Sequence, residues 1–84
     1  MLRMTTIQAD PQTATLFLEG RIVGSWVEEL TRECEQKLSQ TERIILDVSQ
    51  VSFVDDNGVE VLKTLKQNRV HLTGCSLFLD ELLK

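Results

Sequence analysis

Between Thr13 and Leu38 the apolar period of the chain changes from two to 3.6 residues, and no other feature narrows the possible folds as far. In TATLFLE, residues 13–19, Ala14, Leu16 and Leu18 alternate with Thr15, Phe17 and Glu19, the pattern of a strand with one dry face. Beyond Gly20, the side chains of Trp26, Val27, Leu30, Cys34 and Leu38 fall within about 120° on a helical wheel at roughly 100° per residue, which predicts an amphipathic helix. Ser25 and Glu28 have the spacing of a capping box, in which each side chain satisfies an orphan amide of the first turn.

The same alternation of periods continues to the end of the chain. TTIQA, residues 5–9, reads as a strand joined to the next by the turn residues DPQ, and so as a hairpin. IILDV, residues 44–48, predicts a third strand. A helix follows over residues 57–67, with Gly58, Val61, Leu62 and Leu65 on one face, and VHLT, residues 70–73, predicts a fourth strand. Ser76 caps a short last helix in which Phe78, Leu79, Leu82 and Leu83 form a stripe opposite Asp80 and Glu81.

The order ββαβαβα requires right-handed crossovers between parallel neighbours. The expected fold is therefore α/β, a mixed and mostly parallel sheet of about four strands with helices stacked on one face. Phe17, Ile45 and His71 would point to the other face, which is then thinly covered or used for association, including the pairing of two copies into a homodimer.

A chain of 84 residues, 42% hydrophobic and 26% charged, without long linkers, suits one small domain over residues 1–84. A chain of this size buries only about 63% of its unfolded surface, so a partner would add useful cover. The net charge of −4 argues against nucleic acid and anionic membranes, which require a basic face. MLRMTTIQAD lacks the apolar core of a signal peptide, and no run is long enough to span a membrane, so a cytoplasmic location is expected. Cys34 and Cys75 match no metal or redox spacing and should be free and buried.

DVSQVSFVDDNGVEVL, residues 47–62, holds most of what bears on function. As an EF-hand loop it would put Phe53 at position one and Thr64 at position twelve, and both ends fail. The chain has one His, no Tyr and no GxSxG, P-loop or HExxH pattern, so no enzyme is expected. Asp47 or Asp55 at a strand end has the placement of a phospho-acceptor, but no strand ends in the Lys that such a site needs. Asp55 and Asp56 stand where a helix begins and complement its positive end; Asn57 with Glu60 repeats the capping-box spacing, and Gly58 permits close approach to the sheet. Capping accounts for one carboxylate and leaves the second, adjacent one unexplained.

This run resembles the signature of STAS domains, the fold of bacterial anti-sigma-factor antagonists, whose pattern is roughly D-L-S-x-V-x-F-I-D-S-S-G-L-x-x-L. Asp47, Ser49, Val51, Phe53, Asp55, Gly58 and Leu62 match identically, and Val48, Val54 and Val59 conservatively. EGRIVGSWVEEL and VHLTGCSLFLDELL resemble the family's second strand with first helix and its last strand with third helix.

The resemblance implies a module without cofactor or metal that binds another protein, either a serine kinase-like anti-sigma factor or a transporter component. In the family the first Ser of D-S-S-G is phosphorylated, and the added charge at a helix N-terminus blocks docking. Asp56 occupies that position here and Asn57 the second Ser, while Val23 replaces an Asp common in relatives three residues after the Gly. The expected contact surface is Asp55 to Val59: Asp55 orders the turn, Asp56 presents fixed charge, Asn57 caps, Gly58 allows close packing and Val59 touches the partner. Rival readings are an accessory subunit of a lipid-transport ABC system and a small-ligand or nucleotide-binding module.

Overall fold

The computed structural model describes residues 1–83, and for residues 8 and 9 the backbone alone. The elements follow the expected order: β1 (Leu2–Ala9), β2 (Thr13–Ile22), α1 (Ser25–Leu38), β3 (Arg43–Val54), α2 (Asp56–Lys66), β4 (Val70–Thr73) and α3 (Leu77–Leu82). They form one four-stranded sheet in the order β1-β2-β3-β4. β1 runs antiparallel to β2, as a hairpin must, whereas β2, β3 and β4 are mutually parallel because helices carry the chain between them. The hairpin turn is held by Asp10, whose carboxylate accepts from the amides of Gln12 at 2.8 Å and Thr13 at 2.7 Å. Those two bonds hold its carboxyl below the usual carboxylate range.

The dry face of the sheet is the expected one. Leu16, Leu18, Ile22, Ile44, Leu46 and Val48 are buried against Val27, Leu30 and Cys34 of α1, Leu62 and Leu65 of α2, and Leu79 of α3. The opposite rows of β2 and β3 are half-buried or exposed, as the alternation of TATLFLE requires of a sheet with helices on one side.

Three local features differ from expectation. β3 runs for 12 residues, because its register against β2 shifts twice, between Phe17 and Glu19 and between Gly20 and Arg21. Each shift inserts an extra residue into β3, which breaks the apolar alternation after Val48 and hides the rest of the strand from a period-based reading. Ser25 is the first residue of α1 and not its cap: Gly24 occupies that place at φ 56, without a side-chain hydrogen bond to the first turn. Phe78 is 60% exposed instead of joining the α3 stripe, whose buried members are Leu79 and, just past the helix, Leu83. Ser76 does cap α3, its hydroxyl accepting from the amide of Leu79 at 3.1 Å.

Candidate functional site

The β3–α2 junction is built around Asp55, the N-cap of α2, in extended conformation at φ −80 and ψ 176. One carboxylate oxygen accepts from the amide of Gly58 at 2.7 Å, satisfying an orphan donor of the first turn. The other accepts from the amide of Gly24 at 2.9 Å, in the loop between β2 and α1. The Asp55 amide in turn donates to the Ile22 carbonyl at 3.1 Å. The Gly24 and Gly58 hydrogen bonds, in that order, hold the Asp55 carboxyl below its ordinary value. With one oxygen accepting from each amide, Asp55 ties the two loops together.

The remaining residues of the expected contact surface divide by direction. Gly58 is buried, and a Cβ there would lie 2.6 Å from Val54 Cγ1 and 2.9 Å from the Ile22 carbonyl oxygen, so only glycine lets α2 approach the sheet this closely. Asp56 is exposed in the first turn of α2. Asn57 is also exposed but lies inside the helix, where the cap position is already filled by Asp55; the expected capping role of Asn57 is corrected accordingly. Val59 is half-buried and packs against the core, so only part of its side chain faces outward. Val23 is half-buried in the neighbouring loop, and its carbonyl accepts from the Trp26 amide at 3.1 Å.

Asp47 stands apart from this cluster. Its carboxylate accepts from the Ser49 amide at 3.0 Å and the Ser49 hydroxyl at 2.7 Å, securing the first irregularity of β3. Among the described residues no three His, Cys, Asp or Glu side chains converge as metal ligands would. No described helix is long and apolar enough to cross a membrane.

Exposed apolar side chains lie beside the end of β3. Phe53 is 42% exposed, with the Arg21 guanidinium 5.3 Å from its ring centroid. Phe53 shares a hollow of about 220 Å³ with Val51, Ser76 and Phe78. Leu77, beside Phe78, is 86% exposed. The Met1 carbonyl accepts from the Arg21 amide at 3.0 Å, which brings the exposed Met1 to the same end of the sheet. In the sequence Phe53 is a signature match and Phe78 a member of the α3 stripe, and neither pattern marks a residue left in water.

The family model of the STAS domain matches residues 4–80. No curated protein sequence matches the chain. Among solved structures, the anti-sigma factor antagonist SpoIIAA in its unphosphorylated form is similar at a TM-score of 0.73 and 18% identity, over 94% of this chain and 79% of that one. An antisigma-factor antagonist STAS domain from Rhodobacter sphaeroides gives 0.64 and 17%, over 87% and 86% of the two chains. A third, Mglu, gives 0.67 and 17%, over 83% of this chain but 19% of that one. The likeness to these structures is one of fold, and the family match spans the Asp55–Gly58 junction that ties the loops together. The chain belongs to the STAS domain family.

Proposed function

We propose that this STAS domain is a non-enzymatic protein-binding module, resembling an anti-sigma-factor antagonist, whose contact surface is the loop and helix start from Asp55 to Val59. The observation that carries the reading is the exposure of Phe53 and Phe78, which line one hollow beside the end of β3, the strand that leads into the exposed Asp56 at the start of α2. Large apolar groups left in water beside a charged rim are the composition of a docking patch. In this reading the carboxylates of the site serve structure, Asp55 accepting from the Gly24 and Gly58 amides and Asp47 from Ser49.

Relatives with a hydroxyl at the position of Asp56 gain negative charge there by phosphorylation. This chain carries a carboxylate in its place, a permanent single charge at a helix N-terminus that no kinase adds to or removes. Partner binding is thus set by the fixed charge and by the apolar neighbours, not by a phosphate switch at this residue.

The test is affinity purification from the source lysate with tagged wild type, Asp56→Arg, Val59→Glu and, at the far end of α1, Gln40→Arg. Wild type and Gln40→Arg should recover the same partner, while Asp56→Arg and Val59→Glu lose it at least several-fold. Because Val59 is half-buried, that variant is compared by melting first, and exposed Asp56 carries the decision. Equal recovery by all four proteins rules this surface out.

A further inference from the structure

β3 has 12 residues, and β4, the strand beside it, has 4. Their pairing covers only Ile44 to Asp47, opposite Val70 to Thr73, and at Gly74, φ 75, the chain passes close to Ser49 and leaves the sheet. From Val48 to Val54 the outer edge of β3 therefore has no strand beside it. The near end of this stretch is closed by the chain itself, because the Ser49 amide donates to the Asp47 carboxylate at 3.0 Å. The far end is open. Val54 is paired with Ile22, whose carbonyl accepts from the Asp55 amide at 3.1 Å. In such a parallel ladder the residue before that donor directs its own amide and carbonyl to the opposite side, so those of Val54 face the edge that β4 does not reach.

The same edge forms one wall of the hollow of about 220 Å³, with residues 51–54 on one side and Ser76, Phe78 and Leu79 on the other. This is smaller than the roughly 300–1,000 Å³ of small-molecule sites and suits one apolar side chain. None of the lining residues is charged, and Arg21 is engaged over the Phe53 ring from β2, on the other side of the strand. Beyond the lining, the charge is acidic. Asp56 follows Val54 by two positions and Asp80 follows Phe78 by two; both are exposed, and neither forms an ion pair among the described residues.

We infer, resting on the docking surface proposed above, that the partner supplies an extended segment that adds to β3 in line with β4. It seats one apolar side chain between Phe53 and Phe78 and carries a Lys or Arg beside that residue, to meet Asp56. An extended segment offers the backbone donors and acceptors that the edge at Val54 can use, whereas a helix spends its own internally. Residues 51–54 span only about 13 Å, so few main-chain bonds form and the side chain in the hollow sets specificity.

Selection from a phage-displayed library of random dodecapeptides tests this. The enriched sequences should share a β-branched or aromatic residue with Lys or Arg close to it. A synthetic copy should bind the wild-type domain and slow hydrogen exchange of the Val54 amide. Phe78→Glu should weaken it about tenfold or more, and Phe53→Ala should act in the same direction. Both variants are compared by melting first, and Phe78, the more exposed of the two, carries the decision. Failure to enrich any sequence, a bound peptide with helical carbon shifts, or equal affinity for wild type and Phe78→Glu overturns the inference. A peptide whose binding is lost in Asp56→Arg but kept in both Phe variants also removes the added strand, while leaving the Asp55–Val59 surface in place.

Discussion

Asp55 accepts a hydrogen bond from the amide of Gly24, 31 residues earlier in the chain, while its second oxygen caps α2 through Gly58. One carboxylate therefore fixes two loops to each other and to a helix start. Gly24 is suited to this by its φ of 56, a conformation that a residue with a Cβ rarely adopts. The anion adds to the packing of the buried Ile22, Val54 and Gly58 at the same junction.

That arrangement makes stability depend on acid. The carboxyl of Asp55 is held below the ordinary carboxylate value of 3.8 in the folded protein, so its contribution is present above that value and is lost as pH falls through the lower folded value. Asp10 is lowered in the same direction and adds to the same window. Asp55→Asn presents an amide hydrogen where an oxygen received one, and at neutral pH it should melt several degrees below wild type. The gap should close as both proteins are acidified, because wild-type Asp55 then becomes protonated. Thermal melts by circular dichroism between pH 7 and pH 2.5 measure this, and a gap that stays constant across the range would remove the linkage.

Gly58→Ala opposes two effects of known size. Replacing glycine inside a helix favours folding by about 1 kcal/mol. Against that, the new methyl would lie 2.6 Å from Val54 Cγ1 and 2.9 Å from a backbone carbonyl that cannot rotate away. Overpacking of this kind costs about 1–3 kcal/mol, so the net change is destabilising by up to about 2 kcal/mol. A urea titration that finds the variant more stable would show that α2 does not sit this close to the sheet.

The elements legible in the sequence were those whose burial follows a single period. β4 was read to the residue over 70–73, and the buried face of α1 was Val27, Leu30 and Cys34 as its wheel required. The second half of β3 was not legible, because two inserted residues break the alternation that would reveal it. The caps divided by mechanism. Ser76 caps α3 locally, as its position predicts, and Asp55 caps α2 through Gly58 at the same spacing, whereas its second bond, to Gly24, has a partner no local window contains. Phe53 and Phe78 were read as motif and core because an apolar residue carries no mark of being left in water.

Within α3 the structure gives opposite forecasts for residues two positions apart, and departs from the sequence pattern at Phe78 between them. Leu79 is 4% exposed in the core and Leu77 is 86% exposed. Leu79→Ala should cost about 2–5 kcal/mol through lost burial and the cavity left behind. Leu77→Ala should change stability by no more than about 0.5 kcal/mol. Phe78→Ala belongs with Leu77, and a cost as large as that of Leu79→Ala would return Phe78 to the core. Urea unfolding of the three variants with unchanged slopes makes the comparison.

The two thiols should separate by reactivity. Cys34 is fully buried, and burial, aided by the charges of Glu33 and Glu35, pushes its thiol up to about 12. Cys75 is half-buried, and burial with the nearby Asp80 raises its thiol also, though Lys66 opposes the shift. Since the thiolate is the nucleophile, both should react more slowly with Ellman's reagent at pH 8 than a free cysteine. Cys75 still reaches solvent in the native fold, so it should react first and at a rate insensitive to low urea. Cys34 can react only when α1 leaves the sheet, and in a Cys75→Ser variant its rate should rise with urea along the slope of global unfolding. Rapid labelling of that variant in buffer alone would mean that α1 opens locally, and that the helix layer is far less fixed than its packing implies.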